Sequence, residues 1–219
     1  MIIQYRVYSV PVSEQRIFSY RQQKWKKIEN TKGLLGRIGG WNIKNPLEAC
    51  TLTFFRDLEA FQGFQQHSSN DLIYPCESSN RFTQVESQVY QKKVDIFGLL
   101  NEQVFASMKE CGHFLKIGTC QIREEKRDEF LLMQQSVWNL GMANAPGMTT
   151  GLFAESTQDA AQFLIVTRWK SRGEYQAFEE HVLPKLLNWA YKEQIEEQFQ
   201  GRLIRLVHDW CFQCSTLAK

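Results

Sequence analysis

The 219-residue chain has no excess of either charge. Twenty-six basic residues stand against 24 acidic ones, for a net charge of +2. No broad field exists to hold nucleic acid or an anionic membrane through charge alone, so neither is expected as a partner. Long hydrophobic runs are missing as well. No stretch of about 18 apolar residues occurs, which excludes an ordinary transmembrane helix. The opening MIIQYRVYSVPVSEQR has neither a basic leader nor an apolar core of signal length. Phosphate loops, nucleophile elbows and dinucleotide fingerprints are absent. Cysteine is too sparse and scattered for a secreted disulfide scaffold: six residues, at 50, 76, 111, 120, 211 and 214. The expectation is a cytoplasmic protein with six reduced thiols. Cys211 and Cys214 do form a C-x-x-C, but it follows a strand-like run, has only five residues after it, and lacks the second pair that zinc would need. It reads as coincidence, and neither a metal nor a cofactor is expected.

What is present is ample apolar surface: 43% hydrophobic and 13% aromatic residues, enough for ordinary globular cores. The length suits one large domain or two of about 100 residues. Internal similarity favours two. Phe55-x5-Phe61-x2-Phe64-x2-His67 matches Trp169-x5-Tyr175-x2-Phe178-x2-His181 in spacing and type. A strand-like run precedes each, ACTLTFF and QFLIVTRW. Upstream, Arg21-Gln22-Gln23-Lys24-Trp25 parallels Met133-Gln134-Gln135-Ser136-Val137-Trp138. A glycine-bearing segment follows each Trp, KGLLGRIGGW and PGMTTGLF, and each half opens on a strand-like run, IIQYRVYSV and FLKIGTCQI. Four features aligned in one order point to duplication.

Within the first copy, residues 2–10 alternate, with Ile3, Tyr5 and Val7 on one face and Gln4 and Arg6 on the other, which predicts a half-buried strand. A helix from Ser13-Glu14 carries Ile17, Tyr20, Trp25 and Ile28. Strands follow near Trp41 and over 49–55, then a helix on Leu58, Phe61 and Phe64, then a strand over 81–90. The order is β-α-β-β-α-β, the ferredoxin-like split unit. The second copy reads as a strand at 114–122, a helix at about 125–142, strands at 148–154 and 162–169, a helix at 172–182, a separate helix over 185–200 beyond Pro184, and a strand at 202–210. The domains are therefore 1–90 and 114–219. The linker, 91–113, is apolar on Ile96, Leu99, Leu100, Val104, Phe105 and Met108 and is expected as a docked helix. A sheet with helices on one face leaves the other bare, and two copies can cover each other.

On these motifs the sequence resembles the antibiotic-biosynthesis-monooxygenase-like domains of the dimeric α+β barrel class. PGMTTGLF and FLIVTRWKSRGEYQAFEEHV carry the resemblance in the second copy. GLLGRIGGWNIKNPLEACTLTFFRDLEAFQGFQQHSSNDLI looks more like an uncharacterised bacillus branch. The resemblance implies an α+β chain of two tandem ferredoxin-like domains forming an intrachain barrel, as a monomer that imitates a dimer or as a homodimer. It also implies a pocket between sheet and helices for a small aromatic or apolar molecule, with a cofactor-independent monooxygenase as the candidate activity. Alternatives are a non-catalytic binding or interaction module and a haem-handling protein.

Trp169 and Tyr175 match aromatic pocket positions of the polyketide oxygenase branch, and His181 is a candidate base at near-neutral pKa. These three are the candidate catalytic residues. Trp138, Asn139 and Phe178 are the candidate substrate contacts. Against them, the branch's asparagine four residues before the Trp is Ile165 here. The haem branch's axial position falls near Asn188, and 114–122 contains no Asn. His67 and His181 could simply end helices, where the dipole favours their charged form. Glu193, Glu196 and Glu197 read as a solvated helix face. Phe55 and Phe61 replace the Trp/Tyr pair in the first copy, so any functional pocket is expected in the second.

Overall fold

The structure, a computed structural model, describes residues 1–67, 83–100, 102–106, 112–190 and 196–214. The chain forms two compact units. The first comprises Met1–Gln91, Phe105–Ser107 and Ile204–Lys219, and the second comprises Lys92–Val104 and Met108–Leu203.

The first unit runs β1 (Ile2–Ser9), α1 (Gln15–Gln23) continued by a 3-10 turn over Lys24–Ile28, β2 (Leu34–Asn42), β3 (Glu48–Phe55), α2 (Leu58–His67) and the start of β4 (Thr83–Phe97). β3 lies between β1 and β2, antiparallel to both, and β4 pairs with the free edge of β1. The second unit repeats the order with β5 (Phe114–Ile122), α3 (Arg127–Met133), a π-helical turn (Gln134–Asn139), α4 (Leu140–Ala143), β6 (Met148–Ser156), β7 (Gln162–Trp169), α5 (Arg172–His181), α6 (Leu183–Ala190) and β8 (Glu196–Leu206). β7 lies between β5 and β6, again antiparallel to both. The last residues of β8 belong to the first unit and pair there with β2, as does a short β9 (Phe212–Gln213).

The two units share local chemistry. Asp57 caps α2, its Oδ1 accepting from the Ala60 N–H at 2.8 Å. Ser171 caps α5, its Oγ accepting from the Glu174 N–H at 3.2 Å. Gly33 and Gly147 both sit at φ +82°, a left-handed conformation that a Cβ resists. Their carbonyls accept from Arg56 N–H at 2.8 Å and Lys170 N–H at 2.9 Å. The strand after each glycine has a bulge at the same place, between Leu34 and Gly36 and between Met148 and Thr150. Pro184 enters α6 at its second residue, where a missing N–H costs nothing.

Several expectations are corrected. β1 alternates as read, but its polar face is buried too: Gln4 is 4% exposed and Arg6 8%. The linker does not open as a helix, because residues 91–97 continue β4. Its Lys93-Val94-Asp95-Ile96 alternates polar and apolar residues as a strand does, and of the two apolar ones Ile96 is buried while Val94 is exposed. The linker still docks, since Val104 and Phe105 are buried and the N–H groups of Leu99 and Leu100 donate to Met148 and Thr149 carbonyls. The helix expected over 185–200 is described as far as Ala190, and from residue 196 the chain is strand. Glu196 and Glu197 lie on β8, and Glu193 falls outside the described residues. The final strand ends at Leu206, and His208–Trp210 form a 3-10 turn that buries Trp210 against Phe18 and Trp41. Cys50, Cys120, Cys211 and Cys214 are buried free thiols, and burial followed by the Glu29 charge pushes the Cys214 thiol up to about 11. Cys76 and Cys111 lie outside the described residues. No helix among the described residues is long and apolar enough to cross a membrane.

Candidate functional site

A cavity of about 370 Å³ opens in the second unit between the sheet and its helices. Its floor comes from adjacent strands. Lys116 and Gly118 on β5 are cross-strand partners of Thr167 and Ile165 on β7, so all four present the same face. Gly118 keeps the floor low; a Cβ there would meet the Phe199 ring at 3.1 Å. Phe130, Gln134, Trp138 and Met142 come down from the helical side, and Tyr175, Phe178 and Glu179 come from α5. Leu183 and Leu187 of α6 and Phe199 of β8 form the rim. α6 is drawn close because Gly141 carries no side chain, and a Cβ there would fall 2.3 Å from Leu186 Cδ2.

The wall is mostly apolar with a few placed polar groups, as ligand sites usually are. The Tyr175 hydroxyl donates to Glu179 Oε1 at 2.6 Å. Burial, and then that carboxylate, push the phenol well above its usual value of 10, so it stays a protonated donor. Lys116 Nζ stands 5.5 Å above the Tyr175 ring. Gln134, only 3% exposed, donates through Nε2 to Asn139 Oδ1 at 2.7 Å. Its Oε1 has no hydrogen bond among the described residues.

Three of the residues singled out in the sequence line this cavity: Trp138, Tyr175 and Phe178. Trp169 does not. It is fully buried behind the wall, donates Nε1–H to Thr167 Oγ1 at 3.0 Å, and packs edge-on to Tyr175 at 5.3 Å. Asn139 is likewise a support, holding the Gln134 amide. His181 ends α5 with its side chain 74% exposed and lies off the wall, its Nε2 4.0 Å from Glu180. His67 ends α2, and its side chain is outside the described residues. Gln134, Glu179 and Lys116 escaped the sequence reading. Gln134 was visible only as the repeat partner of Gln22, and Glu179 only as the residue one turn beyond Tyr175. Among the described lining residues there is no histidine and no cysteine; the side chains of haem-ligating type on this wall are Tyr175 and Met142.

The matching region of the first unit is filled. Arg37 pairs with Thr53 as Gly151 pairs with Thr167. The Arg37 side chain, 1% exposed, lies 3.9 Å over the Trp25 ring and donates to Gln22 Oε1 at 2.7 Å. Phe55, Phe61 and Phe64 close the remainder, with ring centroids 5.2–5.3 Å apart.

With this geometry in hand, comparisons place the chain among known folds. A family model described as a domain of unknown function, DUF4937, matches residues 2–90. No curated protein matches. Solved structures do. A proposed monooxygenase from Fusobacterium nucleatum aligns with TM-score 0.68 at 11% identity, covering 94% of this chain and 91% of that one. An anthrone oxidase-like protein aligns with TM-score 0.67 at 9% identity, covering 94% and 91%. A proposed monooxygenase from Lactobacillus acidophilus aligns with TM-score 0.65 at 10% identity, covering 94% and 93%. The chain has their fold. At such identities the likeness concerns ferredoxin-like α+β architecture and says nothing of chemistry.

Proposed function

We propose that the second unit binds a small, largely apolar aromatic substrate and oxygenates it without a cofactor. The cavity carries this reading: it is apolar, walled by Trp138, Phe130 and Phe178, and supplied with a carboxylate and a protonated phenol in contact. Its chain context is a tandem duplication of one ferredoxin-like domain, 1–90 and 114–219, in a cytoplasmic protein. The likeness to an anthrone oxidase-like protein and to proposed monooxygenases supports it at the level of fold.

For an activated aromatic methylene, one methylene and one dioxygen give one ketone and one water. One oxygen atom enters the substrate, the other leaves as water with the two methylene hydrogens, and the substrate supplies all four electrons. Glu179 is the proton acceptor for the activated C–H. Tyr175 fixes the carboxylate's orientation, and Trp138 stacks on the ring. The dry wall makes these few polar groups count for more than they would in water.

A second reading is a binding module without catalysis. It is favoured by Ile165, which offers an aliphatic surface on the wall where an amide could have held an oxygenated intermediate.

Titration with 1-naphthol and anthrone, followed by tryptophan fluorescence and by oxygen uptake without added metal or flavin, separates the two. Quenching with oxygen consumption that Glu179→Gln abolishes supports the oxygenase. Quenching without consumption supports the module. No quenching by any aromatic probe overturns the pocket itself.

A further inference from the structure

The first unit contains a worked example of what the second unit's pocket recognises. Residues pair between the units by register. Ile2 and Phe114 occupy matching places opposite Phe55 and Trp169, and Arg37 and Gly151 occupy matching places opposite Thr53 and Thr167. On the first helix Phe18 matches Phe130 and Gln22 matches Gln134, at a constant offset, and both glutamines are buried, at 1% and 3% exposure. From Gln22 to Trp25 is three residues; from Gln134 to Trp138 is four. The extra residue falls in the π-helical turn Gln134–Asn139, where the first unit has the tighter 3-10 turn Lys24–Ile28. Inserted π turns widen a helix and recur at functional sites. Trp138 is accordingly only half-buried where Trp25 is buried.

In the first unit the space below that helix is occupied by the protein's own guanidinium. It is planar, stacks on Trp25 at 3.9 Å and gives an N–H to Gln22 Oε1 at 2.7 Å. In the second unit the arginine is Gly151. No side chain could be restored there cheaply, since a Cβ would lie 2.6 Å from the Val166 carbonyl oxygen. The stacking Trp and the buried Gln remain, and Gln134 Oε1 has lost the donor its counterpart holds. That oxygen keeps some access to the cavity that Gln134 lines, so a ligand N–H can meet it there. Glu179, at the place of Gln65, adds a carboxylate to the wall.

We propose that the second unit's pocket selects a planar conjugated group bearing N–H donors on its edge, of the amidine or aryl-amide class, stacked on Trp138 with an N–H on Gln134 Oε1. This rests on the pocket reading above and narrows its substrate class. Stacking on an indole face is satisfied by any flat ring. The amide oxygen is the discriminating element, because it accepts a donor and rejects a carboxylate.

The test compares four probes of one shape by tryptophan fluorescence and calorimetry: benzamidine, benzamide, benzoate and toluene. Benzamidine and benzamide should bind at least about tenfold more tightly than benzoate. Gln134→Leu should remove that advantage while leaving toluene binding within about twofold. Equal or better binding of benzoate, or an advantage that survives Gln134→Leu, overturns the inference while the pocket reading stands. Failure of all four probes to bind takes the pocket reading down with it. Arg37→Ala gives an independent measure in the first unit. Millimolar guanidinium should raise its melting temperature relative to sodium at equal ionic strength and should leave the parent unmoved. No difference between the two salts counts against the template and overturns the proposal.

Discussion

The first unit is closed where the second is open, although both are built in the same order with caps, glycines and bulges at the same places. Three changes account for the difference. Arg37 stands where the second unit has Gly151, the 3-10 turn at Trp25 becomes a π turn at Trp138, and Phe61 becomes Tyr175 with Glu179 beside it. The shared features are backbone devices that any copy of this fold needs. The differing ones are a strand side chain, one helical turn and the side chains of one helix. A scaffold can thus keep its packing while one unit fills its interior with its own side chains and the other leaves a cavity.

The largest effects should fall where the units are alike. Phe55 and Trp169 end the central strand of each unit and are fully buried in aromatic clusters. Phe55→Ala and Trp169→Ala should each cost about 3–5 kcal/mol in urea unfolding. A Trp169→Ala loss well under half that of Phe55→Ala would show that the second unit's wall is loosely packed and would break the equivalence.

The paired left-handed glycines come next. Alanine at either position should cost about 1–2 kcal/mol for the backbone alone. Gly33→Ala should be the worse, because its Cβ would lie 2.3 Å from Ala60 Cβ, whereas at Gly147 the nearest atoms belong to the flexible Glu174 side chain, at 2.5 Å. Melting curves of the two variants decide the order.

The caps differ in chemistry and therefore in pH response. Ser171→Ala should cost about 1 kcal/mol at any pH from about 4 to 9. The Asp57 carboxyl is held below its ordinary value by the bond from Arg56 and then by the Ala60 N–H. A depressed folded value means that its contribution is present above the ordinary carboxylate range and is lost as pH falls through the lowered one. Asp57→Ala should thus approach the parent in acid, and a gap that persists below about pH 2 would refute carboxylate capping.

Tyr175→Phe copies Phe61 into the second unit and should cost about 0.5–1.5 kcal/mol at neutral pH for the bond to Glu179. Because the folded phenol is raised, both states keep the proton below about pH 10. Above that the unfolded chain ionises and the folded one does not, so parent stability falls by at most about 1.4 kcal/mol per pH unit from this group. The variant should lack that slope, and identical alkaline profiles would sink the assignment. The smallest effect is on a rate. Buried Cys214, with its thiol up at about 11, should react with thiol reagents only as the chain unfolds.

The element order, the spacings common to the two halves and the aromatic helices were legible in the sequence, because each is written in local periods that any register preserves. Trp138, Tyr175 and Phe178 were put at a pocket by the family resemblance together with the repeat, and all three line the cavity. The role of Trp169 could not, since whether an indole lines a cavity or backs it depends on which side of the wall the neighbouring helix leaves room. Nor could the role of His181, whose exposure was decided by α5 ending there before Pro184. Gln134 looks like any helix glutamine until the fold buries it. The opening of the linker, 91–97, is strand and not helix because its alternating Lys93-Val94-Asp95-Ile96 continues β4. Tertiary structure alone decided that Arg37 lies on Trp25 and that Gly151 sits against the Val166 carbonyl and the Met148 side chain. A cavity is the space that side chains distant in sequence leave between them, and no local pattern encodes that space.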